Sequence, residues 1–538
     1  MATPALFPVW RELLCDGETP VGVFARLRRA SLMGGEAAHH GFLLESVLGG
    51  ERWARWSIIG VGHRAVVRGT WRAGQLHVEA EPGPGFTTDL AELCGPRGGY
   101  GEGGGAALIE ALLARYAAGP DPDADPEAGP DRPGLDPELP RFWGGLVGVW
   151  GHDMVRDLER IPIPEHWTEA AALPAFELLV SDTLVVFDNL SQKVTVFATA
   201  CPAEDGGVAA ARAAAEGRIG AVIAALRSDT GVGLTPLGLD ERVTAPTPTL
   251  AEPWRAADYV DQVARGKRHI VAGDVFQVVL SQRFDQPRVA ADGVALEPLD
   301  VYRMLRVTNP APYMYLLDLP SATLAGASPE VLVRVEAHAP RRVTVRPIAG
   351  TRRRGQTPAE DLALERELLE DPKERAEHLM LIDLGRNDVG RVAAPGSVRV
   401  DESYVIERYS KVMHIVSEVS GELADELGVV DALRSTFPAG TLSGAPKVRA
   451  LEIIDALEPA PRGWYGGAVG YFGFDGGADF AICIRSVVFA GDSVRVQAGA
   501  GIVYDSDPPA EDDECWRKAS AVLRAIEMAR VARAEVER

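Results

Sequence analysis

Strand-like segments in this chain follow one another directly instead of alternating regularly with helices. Residues 177–187 and 193–199 are rich in Val, Leu and Phe, and the sequence FDNLSQ between them predicts a hairpin turn. The run FWGGLVGVWG at 142–151 predicts a buried strand, and residues 275–284 also have strand composition. This order favours an α+β fold over a doubly wound parallel sheet.

Helical patterns separate these strands at irregular intervals. In chain order they cover residues 106–118, 208–227, 254–272, 364–384 and 509–536. Pro372 falls inside the fourth pattern, where we expect it to occupy the first helical position after Asp371.

Two segments of unusual composition suggest how the chain is divided. Residues 119–140 contain so many Pro and Asp residues that we expect a disordered surface loop within a domain. Residues 228–253 mix Gly, Thr and Pro without periodicity. We therefore predict an N-terminal region at 1–227, a connecting segment at 228–253 and a C-terminal region at 254–538.

Charge and cysteine content exclude several classes of protein. Lys and Arg number 55 against 77 Asp and Glu, a net charge of −22 that disfavours nucleic acid and anionic membranes as partners. The five cysteines form no CxxC pair, and no apolar run reaches the roughly 18 residues that span a bilayer. We expect a cytoplasmic protein.

Two pairs of acidic residues are candidates for binding a cation. Glu374 and Glu377, like Glu511 and Glu514, are three residues apart and share one helix face. If the two helices face each other, these carboxylates could bind Mg²⁺, which prefers one or two carboxylates with water and an anionic substrate. The alternative is a pair of solvated helix faces, because Glu is a good helix former.

Four glycine-rich segments surround these pairs, at 347–355, 441–447, 465–473 and 497–503. Glycines let the backbone approach a ligand closely, although each segment could equally be a turn or bulge. None has the pattern of a nucleotide-binding loop. His414 and Arg485 lie in strand-like runs, where a polar side chain needs a partner, and a satisfied core histidine is as good an explanation as a catalytic one.

Taken together and in order, seven motifs resemble the chorismate-utilising enzymes, the anthranilate synthase large subunits in particular. They are PIAGTRRRG, EHLMLIDLGRNDVGR, VMHIVSEVSG, FPAGTLSGAPKVRALEIID, WYGGAVGYFGFDG, CIRS and QAGAGIVYDSDPPAEDDE. The resemblance is dense over residues 254–530 and looser before them. It implies a large mixed α/β sandwich of antiparallel sheets flanked by helices.

The resemblance assigns ligands to the acidic pairs and the glycine-rich segments. It implies a Mg²⁺ site in which Glu377 and Glu514 are ligands, with Glu374 and Glu511 beside them, and in which the metal holds the ring carboxylate of chorismate. The implied contacts to chorismate are Gly350, Thr351, Tyr465, Arg485, Gly499, Ala500 and Gly501. An arginine such as Arg485 can grip a carboxylate with two hydrogen bonds.

The implied reaction is the first step of tryptophan biosynthesis and has two stages. Ammonia attacks ring carbon 2 as the carbon 4 hydroxyl leaves, which needs a general acid; Glu374 is the candidate. Pyruvate is then eliminated to give anthranilate; His414 is the candidate for proton transfer, and Thr441 for orienting the substrate. No cysteine lies on a glycine-flanked turn, so we expect a glutamine amidotransferase small subunit to supply ammonia, in a heterotetramer.

Two positions separate this chain from sister enzymes. Ala349 stands where aminodeoxychorismate synthases carry a nucleophilic lysine, and alanine cannot form the adduct. Gln277, which we include among the catalytic-site residues, stands where isochorismate and salicylate synthases carry a lysine that activates water. Both departures favour ammonia as nucleophile. An enzyme that releases the aminated intermediate stays an open alternative.

The motif LLES and the segment NPAPYMY resemble the family's tryptophan-binding feedback site. The implied contacts are Glu45, Ser46, Pro312, Tyr313 and Met314. Plain core packing is the alternative. His152 departs from the tyrosine that is more usual in the family. A rival class, a tryptophan-responsive binding protein without catalysis, would not need the complete set of active-site residues.

Overall fold

The computed structural model describes most of the chain. The described residues are 6–30, 40–46, 55–72, 74–86, 90, 99–100, 104–119, 140, 142–167, 173–228, 234–239, 258–289, 293–409 and 412–536. The predicted loop at 119–140 lies, except for its two end residues, outside them. Much of the predicted connecting segment at 228–253 also lies outside.

Strands supply most of the framework. In the first half they are β1 Phe7–Leu14, β2 Gly41–Glu45, β3 Trp56–Arg72, β4 Gln75–Pro82, β5 Gly99–Tyr100, β6 Gly145–Trp150, β7 Phe176–Asp188 and β8 Lys193–Ala200. In the second half they are β9 Gln277–Pro287, β10 Tyr313–Asp318, β11 Thr323–Ser328, β12 Val331–Val335, β13 Arg342–Val345, β14 Ile348–Arg353, β15 Arg399–Arg408, β16 Val412–Glu422, β17 Gly444–Ala445, β18 Ala468–Gly473, β19 Ala478–Ile482, β20 Ser486–Ala490 and β21 Ser493–Ile502.

The α-helices of the described residues pack around these strands. They are α1 Pro20–Arg29, α2 Gly104–Arg115, α3 Val155–Leu158, α4 Val208–Arg227, α5 Tyr259–Val271, α6 Pro298–Thr308, α7 Pro358–Glu370, α8 Pro372–Gly390, α9 Val429–Thr436, α10 Lys447–Leu457 and α11 Pro508–Val536. None of them is long and apolar enough to cross a membrane.

The strands form one antiparallel network that branches at its centre. β7 pairs with β3 along one edge and with β6 and β8 along the other. One branch continues from β3 through β2, β10, β11, β20, β21 and β9. The other continues from β6 through β18, β19, β12, β13 and β16, which also pairs with β14 and β15. The predicted α+β class is confirmed.

Strands from both halves of the chain are interleaved. β2 pairs with β10, and β6 pairs with β18. One cluster of buried apolar side chains extends through both halves, from Leu6 to Ala532. The predicted division at 228–253 stays a prediction.

Local sequence explains the central strands. Every residue of β7 is buried, as expected for a strand rich in Val, Leu and Phe that has neighbours on both edges. The predicted hairpin is confirmed, since β7 and β8 pair from Thr183 with Ala198 to Asp188 with Lys193. The helix predicted at 208–227 has those bounds as α4.

The long helix predicted at 364–384 is wrong in its continuity. Two helices, α7 and α8, meet at Asp371, which has extended backbone dihedrals and caps α8 by accepting hydrogen bonds from the backbone N–H groups of Lys373 and Glu374. Pro372 occupies the first turn of α8 as predicted, because the missing N–H costs nothing there. This break fixes where the first acidic pair begins.

Candidate active site

His414 and Thr351 face each other across the β14–β16 ladder. A bulge at Gly350 precedes this pair. His414 Nδ1 lies 2.9 Å from the carbonyl oxygen of Gly350 and 3.1 Å from Thr351 Oγ1. A carbonyl can only accept, so Nδ1 carries the proton and the lone pair of the neutral ring is on Nε2. His414 can therefore act as a base through Nε2.

The surroundings of His414 keep the ring neutral. Burial lowers the pKa of His414, and the nearby Arg485 guanidinium lowers it further. The ring of Tyr409 packs edge-on against the imidazole, with the ring centroids 5.5 Å apart. A neutral imidazole is the form that can accept a proton.

Gly350 brings α8 close to this histidine. Its φ is +66°, and a Cβ there would lie 3.1 Å from Glu374 Oε2 and 3.0 Å from Leu368 Cδ1. Glu374 therefore lies next to the predicted substrate residues. Its carboxylate also pairs with Arg352, at 3.3 Å. Its predicted role as general acid stays a prediction.

The two predicted acidic pairs come within electrostatic range of each other through Glu377 and Glu514. Desolvation raises the pKa of Glu377, and the carboxylates of Glu374 and Glu514 raise it further. The pKa of Glu511 is raised by burial and then, after an opposing hydrogen bond from Ser506, by Glu514. Such crowding of like charges is what a bound cation would relieve.

The donor set fits Mg²⁺ in chemistry. Mg²⁺ uses oxygen ligands and commonly takes one or two carboxylates, with water and substrate completing the shell. In the described part of the chain, no three His, Cys, Asp or Glu side chains converge as a ready set of metal ligands. Glu514 currently pairs with Lys518 at 2.8 Å.

The glycines of β21 lie where side chains would collide. A Cβ at Gly499 would be 2.7 Å from the Leu280 carbonyl oxygen and 3.0 Å from the hydroxyl of Tyr465. Lys518 Nζ donates to the carbonyl of Gly499 at 3.0 Å. Ala500, between the two glycines, is fully buried. The strand therefore joins Tyr465 to the helix that carries the second acidic pair.

Gln277 and Ala349 also have defined places. A Cβ at Gly501 would be 2.7 Å from Gln277 Nε2, so the amide of Gln277 lies against the glycine strand. Ala349 lies on β14 opposite Ile415, one residue before Gly350. Both positions that separate the sister enzymes therefore border the predicted substrate residues.

Arg485 does not lie within a strand, so the strand-like interpretation of its run is wrong at this point. It falls between β19 and β20 with φ +52°, a left-handed conformation that is uncommon outside glycine. The backbone N–H of Ala327 donates to its carbonyl at 3.2 Å. Among the described residues, no carboxylate pairs with its guanidinium, and desolvation lowers its pKa. It is suited to an anionic ligand.

Glu330 is a functional candidate that sequence reasoning missed. It lies between β11 and β12, and Thr441 Oγ1 donates to its Oε1 at 3.0 Å. Burial raises the pKa of Glu330 to about 7. The available signal was one charged residue in the apolar run LAGASPEVLV, but its partner is 111 residues away.

The predicted tryptophan contacts also come together. Glu45 on β2 is the register partner of the buried Met314 on β10. Glu45 accepts hydrogen bonds from Tyr302 at 2.5 Å and pairs with Arg306 at 3.0 Å. The buried hydroxyl of Ser46 has no hydrogen-bond partner among the described residues.

Tyr313 and Pro312 are the remaining predicted tryptophan contacts. Tyr313 donates from its hydroxyl to Asp479 at 2.8 Å. Pro312, which precedes it, is partly buried. The tryptophan assignment stays a prediction.

His152, the departure from the family pattern, is buried next to Gly466. Burial lowers its pKa, and Arg462 and Arg156 lower it further. Its Nε2 has no hydrogen-bond partner in the described residues, and its Cδ2 would lie 3.4 Å from a Cβ at Gly466. It therefore borders the segment that carries Tyr465.

A cavity of about 170 Å³ lies beside Tyr465. Its lining includes Arg283, Arg462, Trp464, Tyr465, Arg495 and Gln497. It shares Tyr465 with the predicted substrate residues but excludes His414, Glu330 and the acidic pairs. It is therefore a space next to the candidate site, and the chemistry lies elsewhere.

Known proteins share this arrangement of sequence and fold. The sequence profile of the chorismate binding enzymes matches residues 115–524. Anthranilate synthase component 1 of Pseudomonas aeruginosa is 44% identical over 524 residues, covering 97% of this chain and 96% of that protein. The protein of the same name from Aquifex aeolicus is 40% identical over 528 residues, covering 97% and 95%.

Solved structures agree with the sequence comparison. Anthranilate synthase component I of Streptococcus pneumoniae superposes with a TM-score of 0.68 at 32% identity, covering 91% of this chain and 96% of that one. The menaquinone-specific isochorismate synthase of Escherichia coli, at 18% identity, shares the fold with a TM-score of 0.65 over 98% and 95%. The chain therefore belongs to the chorismate binding enzyme family.

Proposed function

We propose that this protein is the large subunit of an anthranilate synthase, which converts chorismate and ammonia into anthranilate and pyruvate. The observation that carries the proposal is a set of two candidate proton-transfer groups, Glu330 and His414, that both neighbour Tyr409. Glu330 holds its proton near neutral pH, and His414 is neutral with its lone pair on Nε2. A reaction that needs an acid in one stage and a base in the other can use both.

Arg485 is the group proposed to bind a chorismate carboxylate. Its guanidinium forms no ion pair with a carboxylate among the described residues, Glu514 acts on it only through a weaker electrostatic attraction, and a fork of donors matches a carboxylate. Tyr465, Thr351 and the glycines of β21 complete the proposed walls, and glycine at 499 lets the strand pack closely against Tyr465 and Leu280.

Glu377 and Glu514 are the proposed Mg²⁺ ligands, with Glu374 and Glu511 beside them. When bound, Mg²⁺ would neutralise the ring carboxylate and orient it. We propose that these carboxylates, which α8 and α11 carry, would hold the metal between them.

Glu330 is the group best placed to protonate the leaving hydroxyl. A general acid needs a pKa near the working pH, and burial raises that of Glu330 to about 7. Thr441 orients the carboxyl through the 3.0 Å hydrogen bond. Glu374 is the acid predicted from sequence. Its carboxylate pairs with Arg352, and we propose that it lies beside the Mg²⁺ ligands instead.

His414 is proposed to take the proton from ring carbon 2 as pyruvate leaves. The Gly350 carbonyl fixes Nδ1–H, so Nε2 receives the proton. Replacing His414 by Ala should leave the amination step and impair the elimination, so the aminated intermediate should accumulate. This variant distinguishes a two-step synthase from an enzyme that stops after amination.

Ammonia is the proposed nucleophile because neither Ala349 nor Gln277 can supply the alternatives. Alanine cannot form a covalent adduct, and a glutamine amide cannot act as a base toward water. We propose that a glutamine amidotransferase small subunit delivers ammonia, in a heterotetramer, within the cytoplasm. We also propose feedback inhibition by L-tryptophan at Glu45, Ser46, Pro312, Tyr313 and Met314.

The purified chain provides the test. Mixed with chorismate, Mg²⁺ and an ammonium salt, it should generate anthranilate fluorescence; glutamine should replace ammonium only when a small subunit is added. No anthranilate with ammonium, together with tryptophan binding, would favour the binding protein instead. Anthranilate from glutamine by the chain alone, with contaminating ammonia excluded, would overturn the proposed partner.

A further inference from the structure

Arg462 makes the most extensive set of buried polar contacts near the candidate site. Its side chain is 1% exposed, and that of Glu458 is 3% exposed. Nε and Nη2 donate to the two Glu458 oxygens at 2.9 and 2.6 Å. Nη1 donates to the carbonyl of Leu442 at 2.6 Å, and Nη2 donates to that of Val279 at 2.7 Å.

Each segment bound by this ion pair carries a group of the proposed site. Leu442 directly follows Thr441 in a short 3-10 helix, Gly440–Leu442. Val279 lies on β9 opposite Gly501. Tyr465 follows Arg462 by three residues, and its N–H donates to the Arg462 carbonyl at 3.3 Å.

Glu458 also binds strand β9, through Ser281. Its Oε1 accepts from the backbone N–H of Ser281 at 2.8 Å and from Ser281 Oγ at 2.9 Å. Ser281 lies opposite Gly499. The carboxylate is therefore fully occupied, and rotation of the arginine would break several hydrogen bonds together.

The Thr441 segment has anchors on both of its sides. After it, the N–H of Val279 donates to the carbonyl of Ser443 at 2.9 Å. Within it, Arg462 holds the carbonyl of Leu442. On its side-chain face, Thr441 donates to Glu330. Removing Arg462 therefore releases the segment that sets the Thr441–Glu330 hydrogen bond.

We propose that Arg462, itself oriented by Glu458, is a positioning residue that fixes Thr441 against Glu330. This inference rests on the proposed function, because it assigns Glu330 the role of general acid. A lysine in the same place keeps the charge but presents three donors on a single nitrogen instead of a planar fork, so it cannot make all four hydrogen bonds of Arg462.

The test compares Arg462→Lys with Thr441→Val in the full-length protein. The measurement is the pH profile of kcat/KM for chorismate with ammonium, which reports groups of the free enzyme. Loss of the Thr441 hydrogen bond removes an interaction that favours the charged carboxylate, so the pKa of Glu330 should rise. The alkaline limb should shift to higher pH in both variants, and kcat should fall by about tenfold to a hundredfold.

The double variant separates positioning from general damage. If Arg462 acts through Thr441, the double variant should shift the limb no further than Thr441→Val does. Additive shifts, or an unshifted limb in Arg462→Lys, would overturn the proposal. Glu458→Gln, which preserves size, should shift the limb in the same direction by less, and it serves if Arg462→Lys fails to fold.

Arg64→Lys is the matched control. Arg64 is also 1% exposed, pairs with Asp182 at 3.1 Å and donates to the Thr199 carbonyl at 2.9 Å, but it lies on β3 in the other half of the chain. It should lose stability and keep the wild-type pH profile. Wild-type turnover is measured first, so failure of the proposed function appears as no anthranilate from any protein, whereas failure of this inference appears as an unshifted variant.

Discussion

Glu330 in the catalytic region and Glu45 in the predicted tryptophan region are both carboxyls whose pKa is raised by burial. Glu45 has a guanidinium partner in Arg306 and a hydroxyl donor in Tyr302. Among the described residues, Glu330 receives a hydrogen bond from Thr441 and has no arginine partner. From this difference in partners we expect Glu330 to exchange a proton and Glu45 to anchor β2 to α6.

The largest expected effect concerns the charges of the catalytic region. Glu514→Ala should reduce anthranilate formation by about a thousandfold or more, because a proposed Mg²⁺ ligand is lost and the substrate carboxylate is left uncompensated. Anthranilate fluorescence measures the loss, and circular dichroism checks the fold. Full activity in a strong chelator would contradict the metal role.

Glu330→Gln should reduce kcat by about a hundredfold or more, since the amide cannot donate a proton to the leaving hydroxyl. In the wild type, kcat/KM should fall as pH rises above about 7, where Glu330 loses its proton. The matched control is Glu177→Gln. Burial also raises the pKa of Glu177 to about 7, but Glu177 accepts its hydrogen bond from Ser321. Equal losses in both variants would exclude a specific role for Glu330.

Stability should change in the same direction but by different amounts at Glu330 and Glu45, because burial raises both pKa values and only Glu45 has a guanidinium partner. The folded-state pKa of Glu330 lies above its ordinary value, so the folded protein binds the proton more tightly and loses stability as pH rises from about 4.5 to about 7. Glu330→Gln should therefore stabilise the protein by about 1–2 kcal/mol at pH 8 and have little effect at pH 4.5. Glu45→Gln should stabilise it by less than Glu330→Gln does at pH 8, because burial also raises the pKa of Glu45 but the substitution removes the charged partner of Arg306.

Urea unfolding at the two pH values measures both changes. A loss of stability in Glu330→Gln at pH 8 would show that its charge is compensated after all, and the contrast with Glu45 would disappear.

The smallest expected effect is on regulation. Ser46→Phe should weaken inhibition by L-tryptophan about tenfold or more while kcat changes by less than about twofold, because a bulky ring would replace a buried hydroxyl that has no hydrogen-bond partner among the described residues. Inhibition curves at fixed chorismate measure this change. Unaltered inhibition would place the tryptophan site elsewhere.

Local sequence predicted those parts of the molecule that local forces determine. The β7–β8 hairpin and helix α4 follow from turn residues and composition. The motifs also identified His414, Gly350 and the two acidic pairs as candidate site residues. Glu330 and Arg462 escaped prediction because their meaning lies in contacts with Thr441 and with strand β9, which only the tertiary fold creates.

Backbone conformation also limited what could be predicted from the sequence. The run around Arg485 has the composition of a strand, but the chain turns there with φ +52° and leaves the arginine outside both neighbouring strands. Likewise, Asp371 divides a pattern that is helical on both sides. Side-chain periodicity does not reveal one residue whose backbone dihedrals differ from those of the surrounding helix or strand.

The hydrogen bond from Ala327 to the Arg485 carbonyl joins the proposed substrate site to the strand next to Tyr313 and Met314. If tryptophan inhibits by displacing this ladder, the coupling free energy is shared by both ligands. Chorismate must then weaken tryptophan binding by the same factor by which tryptophan weakens chorismate binding. A cell rich in chorismate would therefore need more tryptophan to silence the enzyme.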